Sequence, residues 1–238
     1  MGKARVAVVT FPGSNDDRDA LHAVARMGGE GIPVWHGDRD LGGADAVILP
    51  GGFAYGDYLR TGAIASHAPV MAAVREHAAT GRAVLGVCNG FQILCEAGLL
   101  PGALLRNATL SFICRFVHVR VESNATPFTR EVEGGAILEI PIKHGEGQFV
   151  ADPETLSRLE DEGRVVFRYC SPSGEIGQEF VPNGSTAGIA GVANEAGNVV
   201  GLMPHPEHAT DPDVGPTGGR PLFDSLLSSL VPVGGLGG

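Results

Sequence analysis

Residues 83–98 read AVLGVCNGFQILCEAG, and this stretch decides the fold class. The apolar run at 83–87 predicts a buried strand, and the apolar residues after Gly90 recur at helical spacing until Gly98 ends the pattern. Cys88 stands between strand and helix, with a glycine two residues away on each side. A nucleophile at such a turn is held in a strained conformation at the carboxyl edge of a sheet. A small buried cysteine before a helix is the alternative interpretation.

The same alternation of strand and helix extends through the first hundred residues. Continuous apolar strands that alternate with helices form a parallel sheet covered on both faces, and ligands bind beyond the carboxyl ends of its strands. This pattern predicts a doubly wound α/β fold. The predicted strands are 5–10, 32–35, 46–49 and 83–87, and the predicted helices are 16–27 and 66–80.

The pattern changes after about residue 110. Residues 115–122 and 136–142 alternate apolar and polar positions, as half-buried strands do. Residues 187–193 and 199–203 flank the turn-forming stretch 194–198, which predicts a hairpin. We therefore expect an antiparallel extension of the main sheet. The predicted late helices are 153–162 and 221–230.

The composition narrows the classes of function. Charged residues are 18% of the chain, against about 25% in a typical globular protein. Lys and Arg number 17 against 27 Asp and Glu, and no basic run is present, so nucleic acid is not an expected partner. Without an 18-residue apolar run or a signal-peptide pattern, no membrane association is expected, and we expect a cytoplasmic protein. No linker interrupts the pattern, which predicts one domain over 1–238 with a flexible tail from about residue 232.

A base and a group that orients it follow the last predicted strand, in the stretch MPHPE at 203–207. On a regular strand His205 and Glu207 would share one face. His205 would then accept the thiol proton, and Glu207 would orient the imidazole. A histidine without chemistry is one alternative, and a metal site of His205, Glu207 and His208 is another. We predict no metal, because these residues lack the further ligands of a known pattern.

Two backbone N–H groups are candidate donors to an oxyanion. The N–H of Asn89 follows the nucleophile and lies at the positive end of the predicted helix. Gly52, in the stretch PGGF at 50–53, ends another apolar strand and allows a second N–H to face a ligand. A tight turn without chemistry is the alternative interpretation of that stretch.

These motifs, in this order, resemble the class I (triad-type) glutamine amidotransferases. The family signature combines the elbow G-x-C-x-G-x-Q, here residues 86–92, with a downstream H-P-E, here residues 205–207. Over nearly its whole length the chain also resembles the glutaminase subunits of phosphoribosylformylglycinamidine synthase. The further stretches that carry this resemblance are FPGSN at 11–15, PGGFAYGDYLR at 50–60, FICR at 112–115 and HGEG at 144–147.

The resemblance implies a flavodoxin-like amidotransferase fold and the hydrolysis of L-glutamine to glutamate and ammonia. The ammonia would pass to a PurL-type synthetase subunit, with a small PurS-type subunit as a further partner. That synthetase would use ATP and magnesium to convert formylglycinamide ribonucleotide to its amidine. No cofactor is expected on this chain itself.

The resemblance also assigns roles to residues. Cys88 would be the nucleophile, His205 the general base and acid, and Glu207 the orienting carboxylate. Gly52 and Asn89 would donate N–H groups to the oxyanion, and Gln92 would hold the bound glutamine. The stretches 56–60 and 144–147, with Arg60, His144 and Glu146, would lie near the site or on a partner surface; ordinary loops between elements are the alternative interpretation. Two positions depart from the family pattern: this chain has Asp16 where many relatives carry Cys, and His208 where many carry Arg.

Two other classes of function remain open from the residues alone. An elbow cysteine with His and Glu also serves other thiol-dependent hydrolases and peptidases. A non-catalytic interaction subunit could keep the same fold. Gln92 and the downstream His-Pro-Glu favour glutamine, and the presence of all three triad residues argues against a non-catalytic subunit.

Overall fold

A computed structural model describes residues 2–230 of the chain. The tail predicted from about residue 232 lies outside the described residues. The strands are β1 (Arg5–Thr10), β2 (Glu30–Trp35), β3 (Ala46–Leu49), β4 (Ala83–Val87), β5 (Ala103–Leu105), β6 (Ile113–Val121), β7 (Ile137–His144), β8 (Gln148–Val150), β9 (Val165–Cys170), β10 (Ile189–Ala193) and β11 (Val199–Leu202). The helices are α1 (Asp17–Arg26), α2 (Val70–Ala79), α3 (Asn89–Glu96), α4 (Pro153–Asp161) and α5 (Arg220–Leu230).

Half of the main sheet is parallel, as the apolar runs predict. Its strands lie in the order β2-β1-β3-β4-β11, and every neighbouring pair among them is parallel. This is the strand order of flavodoxin-like sheets. Every residue of β3, β4 and β11 is buried, so both faces of the sheet are covered at its centre. The predicted fold class is confirmed.

The other half of the sheet is the predicted antiparallel extension, and it is larger than the sequence indicates. Beyond β11 the order continues β10-β9-β6-β7, and each of these strands runs antiparallel to its neighbour. Strand β9, inside this half, was not predicted from the sequence. Strands β5 and β8 were not predicted either, and they pair as a separate two-stranded sheet.

Proline influences where helices α2 and α4 begin. The helix predicted from residue 66 begins only at Val70, because Pro69 disfavours a helical conformation of Ala68, which is extended with φ −60° and ψ 148°. By contrast, Pro153 fits the first turn of α4, and the side chain of Asp152 accepts a hydrogen bond from the Thr155 N–H at 2.9 Å. Within residues 2–230, every helix is too short or too polar to cross a bilayer.

The parallel topology brings the candidate site residues to one edge of the sheet. The carboxyl ends of β1, β3, β4 and β11 lie side by side. The segments that follow these four strands carry, respectively, Asp16, Gly52, Cys88 and His205. Residues far apart in the sequence therefore meet at this edge.

Candidate active site

Cys88 occupies a strained turn between β4 and α3. Its φ is 49° and its ψ is −104°, a conformation that few non-glycine residues adopt, as the elbow pattern predicts. Helix α3 starts close to the end of β3. Glycine is required at position 90, because a Cβ there would lie 1.9 Å from the carbonyl oxygen of Leu49. The sulfur is thus held at the N-terminus of a helix, where the helix dipole favours negative charge.

His205 and Glu207 form a buried pair. Nδ1 of His205 lies 2.6 Å from Oε1 of Glu207, and the two side chains are 1% and 2% exposed. The sequence analysis expected a strand to place both residues on one face, but a short 3₁₀ turn at 206–208 brings them together. The His205 N–H also donates to the carbonyl oxygen of Pro141 on β7, at 2.8 Å, which fixes the turn to the sheet.

The charge of His205 is coupled to its neighbours. Burial alone would lower its pKa, but the negative charges of Glu207 and Cys88 outweigh burial and raise the pKa above its usual range. Nε2 of His205 is buried and has no hydrogen-bond partner among residues 2–230. This nitrogen is therefore free to exchange a proton with a thiol or a substrate.

Two backbone N–H groups at this edge are unpaired. The N–H groups of Gly52 and Asn89 take part in none of the hydrogen bonds within residues 2–230. Gly52 has a φ of +146°, and a Cβ there would lie 2.7 Å from the carbonyl oxygen of Gly13, so glycine is required. Both N–H groups are available to an oxyanion formed at Cys88.

Cys88 lines a pocket of about 180 Å³. This is smaller than the pockets that hold drug-sized ligands, so it suits a small metabolite. Gly52, Gln92, His144 and Glu146, which the sequence analysis had singled out, also line it. Asp57 and Gly145 belong to the stretches 56–60 and 144–147, which the resemblance places near the site or on a partner surface. The other lining residues, which had no predicted site role, are Asn15, Asp16, Phe53, Thr61, Phe112 and Lys143.

The side chain of Gln92 connects α3 to the loop after β7. Its Oε1 accepts a hydrogen bond from Nδ2 of Asn89 at 2.8 Å, and its Nε2 donates to the carbonyl oxygen of Glu146. The side-chain oxygen of Asn89, Oδ1, accepts a hydrogen bond from the backbone N–H of Ala54 at 3.1 Å. Gln92 therefore fixes the pocket wall, and its role in holding glutamine stays a prediction.

Two carboxylates line the pocket together. Burial and the negative charge of Glu146 raise the pKa of Asp57 to about 6. Nδ2 of Asn89 lies 3.5 Å from Oδ1 of Asp57 and opposes this shift. Two negative groups near one space create a site for a positive group of a ligand.

His144 and Arg60 differ in their relation to the pocket. His144 is buried, and its Nδ1 lies 3.0 Å from Oδ1 of Asn107. Burial and the charge of His205 lower the pKa of His144 to about 4, so its imidazole is neutral at pH 7. Arg60 is not among the residues that line the pocket, and its guanidinium pairs with Glu96 at the end of α3.

Asp16 joins the site from the loop after β1. Its buried carboxylate contacts the ammonium of Lys143, lies 3.1 Å from Nε2 of His208 and 3.6 Å from Nδ1 of His205. Asp16, His205, Glu207 and His208 have ligand atoms within 4.8 Å of one another, so the structure adds a fourth group to the metal alternative. The ammonium of Lys143 is a positively charged partner of Asp16 within this cluster.

Comparisons with known proteins show which family the chain resembles. The family model of the CobB/CobQ-like glutamine amidotransferase domain matches residues 3–217. The chain is 56% identical to the phosphoribosylformylglycinamidine synthase subunit PurQ of Rhodopseudomonas palustris, over 94% of this chain and 97% of that protein. It is 57% identical to the PurQ subunit of Thermus thermophilus, over 95% of this chain and 99% of that protein. A chain in the structure of PurLQS from Thermotoga maritima matches with a TM-score of 0.85 and 44% identity, over 96% of this chain and all of that chain.

Proposed function

Because the chain belongs to the CobB/CobQ-like glutamine amidotransferase family, we propose that it is the glutaminase subunit of phosphoribosylformylglycinamidine synthase. It hydrolyses L-glutamine to glutamate and ammonia. The ammonia passes to a PurL-type synthetase subunit, which uses ATP and magnesium to convert formylglycinamide ribonucleotide to its amidine. A PurS-type subunit completes the assembly. Identity above 50% over nearly the whole chain to curated PurQ subunits supports this assignment.

One observation carries the chemistry: a strained cysteine, two unpaired N–H groups and a buried His–Glu pair meet at one edge of the sheet. Acyl transfer needs a nucleophile, donors to the oxyanion and a base that is oriented by a third group. Cys88, the N–H groups of Gly52 and Asn89, and His205 with Glu207 provide these functions.

The reaction has two halves. The thiolate of Cys88 attacks the side-chain carboxamide carbon of glutamine, and the N–H groups of Gly52 and Asn89 stabilise the oxyanion. His205 gives its proton to the departing nitrogen, which leaves as ammonia and a thioester remains on Cys88. His205 then takes a proton from water, which attacks the thioester and releases glutamate. Glu207 holds the imidazole and stabilises its charged form throughout.

The pocket also supplies groups for the amino-acid end of glutamine. Asp57 and Glu146 present negative charge that complements the α-ammonium group. Glu146 also pairs with Arg106 at 3.6 Å, so a substrate that lacks the α-ammonium would leave Asp57 as the carboxylate without a counter-charge. Recognition of the α-ammonium by these residues favours free glutamine over a glutamine side chain within a peptide.

The synthetase docks at the mouth of the pocket. Phe53 and Phe112 line the pocket, and Leu110, which is 80% exposed, lines an adjoining cavity with Phe112. Tyr58 and Leu59 follow Phe53 closely in the chain and are 74% and 91% exposed. Exposed apolar residues that cluster in this way mark protein interfaces. Ammonia leaves Cys88 through this pocket, so a synthetase that covers its mouth receives the ammonia before it escapes into solvent.

The test is a glutaminase assay on the purified chain with and without the synthetase, ATP and formylglycinamide ribonucleotide. We expect equal amounts of glutamate and ammonia, and turnover at least several-fold higher with the full set of partners. Peptide hydrolysis without glutamine hydrolysis would assign the site to a peptidase. Complex formation without glutamate release would assign the chain to a non-catalytic subunit.

A further inference from the structure

A second buried carboxylate lies beside the imidazole of His205. Oδ2 of Asp16 is 3.6 Å from Nδ1 of His205, the same nitrogen that contacts Glu207 at 2.6 Å. Gly51 packs against both groups, since a Cβ there would lie 2.3 Å from Oδ2 of Asp16 and 2.7 Å from Cε1 of His205. A glycine at position 51 is what allows carboxylate and imidazole to approach.

Asp16 is charged in this environment. Burial alone would raise its pKa, but the hydrogen bond to His208 and the positive charges of His205 and Lys143 outweigh burial and hold the pKa well below its usual range. The interaction between two groups is reciprocal, so the charge of Asp16 stabilises the imidazolium form of His205 by the same free energy.

We propose that Asp16 is a second positioning carboxylate for His205, which acts on the imidazole together with Glu207 and partly replaces Glu207 when that residue is neutral. This inference rests on the proposed function, because it assigns a further role within the same site. At 3.6 Å the contact is too long for a hydrogen bond, so Asp16 acts through its charge. Lys143 moderates this effect because its ammonium contacts the same carboxylate.

Charged and titratable groups face His205 from each element packed against it. Glu207 and His208 come from its own turn, and the ring centroids of His205 and His208 are 5.5 Å apart. The remaining groups are Cys88 at the start of α3, Asp16 after β1, and Lys143 and His144 at the end of β7. Asp16 and Glu207 are the carboxylates within 4 Å of the His205 ring nitrogens among residues 2–230.

The charge of Asp16 predicts the direction of a pH shift. Removing a negative charge makes both protons of the Cys88–His205 pair easier to lose, so Asp16→Asn moves the acid limb of the pH profile to lower pH. Lys143→Met removes a positive charge from the same cluster and moves the same limb to higher pH. We expect each shift to be at least about half a pH unit. Because Lys143→Met removes a positive charge near the pair whatever Asp16 does, the Asp16→Asn shift is the one that tests the proposal, and a purely structural role of Asp16 would leave the acid limb in place.

The profile is measured as the rate of Cys88 alkylation by iodoacetamide against pH, with the Cys88 peptide quantified by mass spectrometry. This readout requires no glutamine, so it is independent of the proposed function. The matched control is Asp17→Asn, because Asp17 is the neighbouring carboxylate and accepts from the Thr10 hydroxyl at 3.0 Å, away from His205. Its profile should superpose on that of the wild type.

Turnover of glutamine gives the second measurement. Asp16→Asn and Glu207→Gln should each reduce kcat, and the double variant should lose at least about tenfold more than the product of the two single effects. An Asp16→Asn profile identical to that of Asp17→Asn overturns the proposal. If Asp16→Asn fails to fold, Asp16→Ser takes its place, and an Asp16→Ser profile identical to that of Asp17→Asn overturns the proposal instead. Expected alkylation shifts in a chain without glutaminase activity would support the role of Asp16 and reject the proposed function.

Discussion

Nδ1 of His205 and Oε1 of Glu207 lie 2.6 Å apart in a buried 3₁₀ turn, which leaves Nε2 of His205 as the nitrogen that can exchange protons. The turn is anchored by the hydrogen bond from the His205 N–H to Pro141. Carboxylate and imidazole are therefore oriented before any substrate arrives, and the site does not need to assemble its base on binding.

The first prediction compares the two members of this pair. His205→Asn should reduce kcat for glutamine by about 10⁴-fold, because no other group takes its place as base. Glu207→Gln should reduce kcat roughly 100-fold, because the base remains and loses only the group that orients it and stabilises its charged form. Steady-state kinetics on folded variants measures both effects. If both variants turned over glutamine at the wild-type rate, the pair would be structural.

The second prediction concerns cysteine selectivity. A glutamine-like chloroketone should label Cys88, which lines the pocket, and spare the other three cysteines. Burial raises the pKa of the Cys95 thiol and raises that of Cys170 to about 11, so neither is reactive near pH 7. Cys114 is exposed and serves as the internal control, because a general alkylating reagent should label it whereas the chloroketone should not. Mass spectrometry of digests would contradict the account if Cys114 were labelled first.

The third prediction follows from the Asp57–Glu146 pair. The pKa of Asp57 is raised to about 6, so its carboxylate is charged above this pH and neutral below it. If Asp57 binds the α-ammonium of glutamine, KM should rise as the pH falls through about 6, with a smaller effect on kcat. Asp57→Asn should raise KM at pH 7 and remove this pH dependence of KM. A KM that is unchanged in Asp57→Asn would mean that the α-ammonium binds elsewhere.

The fourth prediction tests the docking surface. Leu59→Asp should weaken binding of the synthetase at least about tenfold, because it places a charge in an apolar interface, while basal glutaminase activity stays unchanged. The matched control is Ile137→Asp, since Ile137 is also an exposed apolar residue but stands at the opposite end of β7 from His144, roughly 23 Å away along the strand. Equal binding losses in both variants would place the interface elsewhere.

Local patterns in the sequence predicted much of the fold. The parallel strands β1, β3 and β4 contain continuous apolar runs with glycine or proline nearby in the chain. The turn at Cys88 was predictable because an apolar run, two flanking glycines and a helical pattern occur together there. Strand β9, which reads VVFRYC, was missed because a short apolar run without alternation does not differ in periodicity from a buried helix segment. Its position at the centre of the antiparallel half depends on pairing with β10 and β6, which no local pattern encodes.

The residues of the candidate site also fall into those that a local motif reveals and those that only the fold brings together. Cys88, His205 and Glu207 belong to short motifs, so the sequence could point to them. Asp16 and Lys143 meet only because β1 and β7 place their ends at the same site, and their positions are 127 residues apart in the sequence. The sequence signalled Asp16 only as a departure from the family pattern, and it gave no signal for Lys143.

The most direct test of the central claim is a paired assay of the complete complex that carries Cys88→Ala, with glutamine in one reaction and an ammonium salt in the other. If Cys88 generates the ammonia that the synthetase consumes, amidine formation should fail with glutamine and proceed with ammonium at a rate comparable to that of the wild-type complex. Product formation from glutamine by the variant would show that glutamine is hydrolysed elsewhere. Failure with both nitrogen sources would show that Cys88 supports assembly rather than catalysis. Either result would contradict the account.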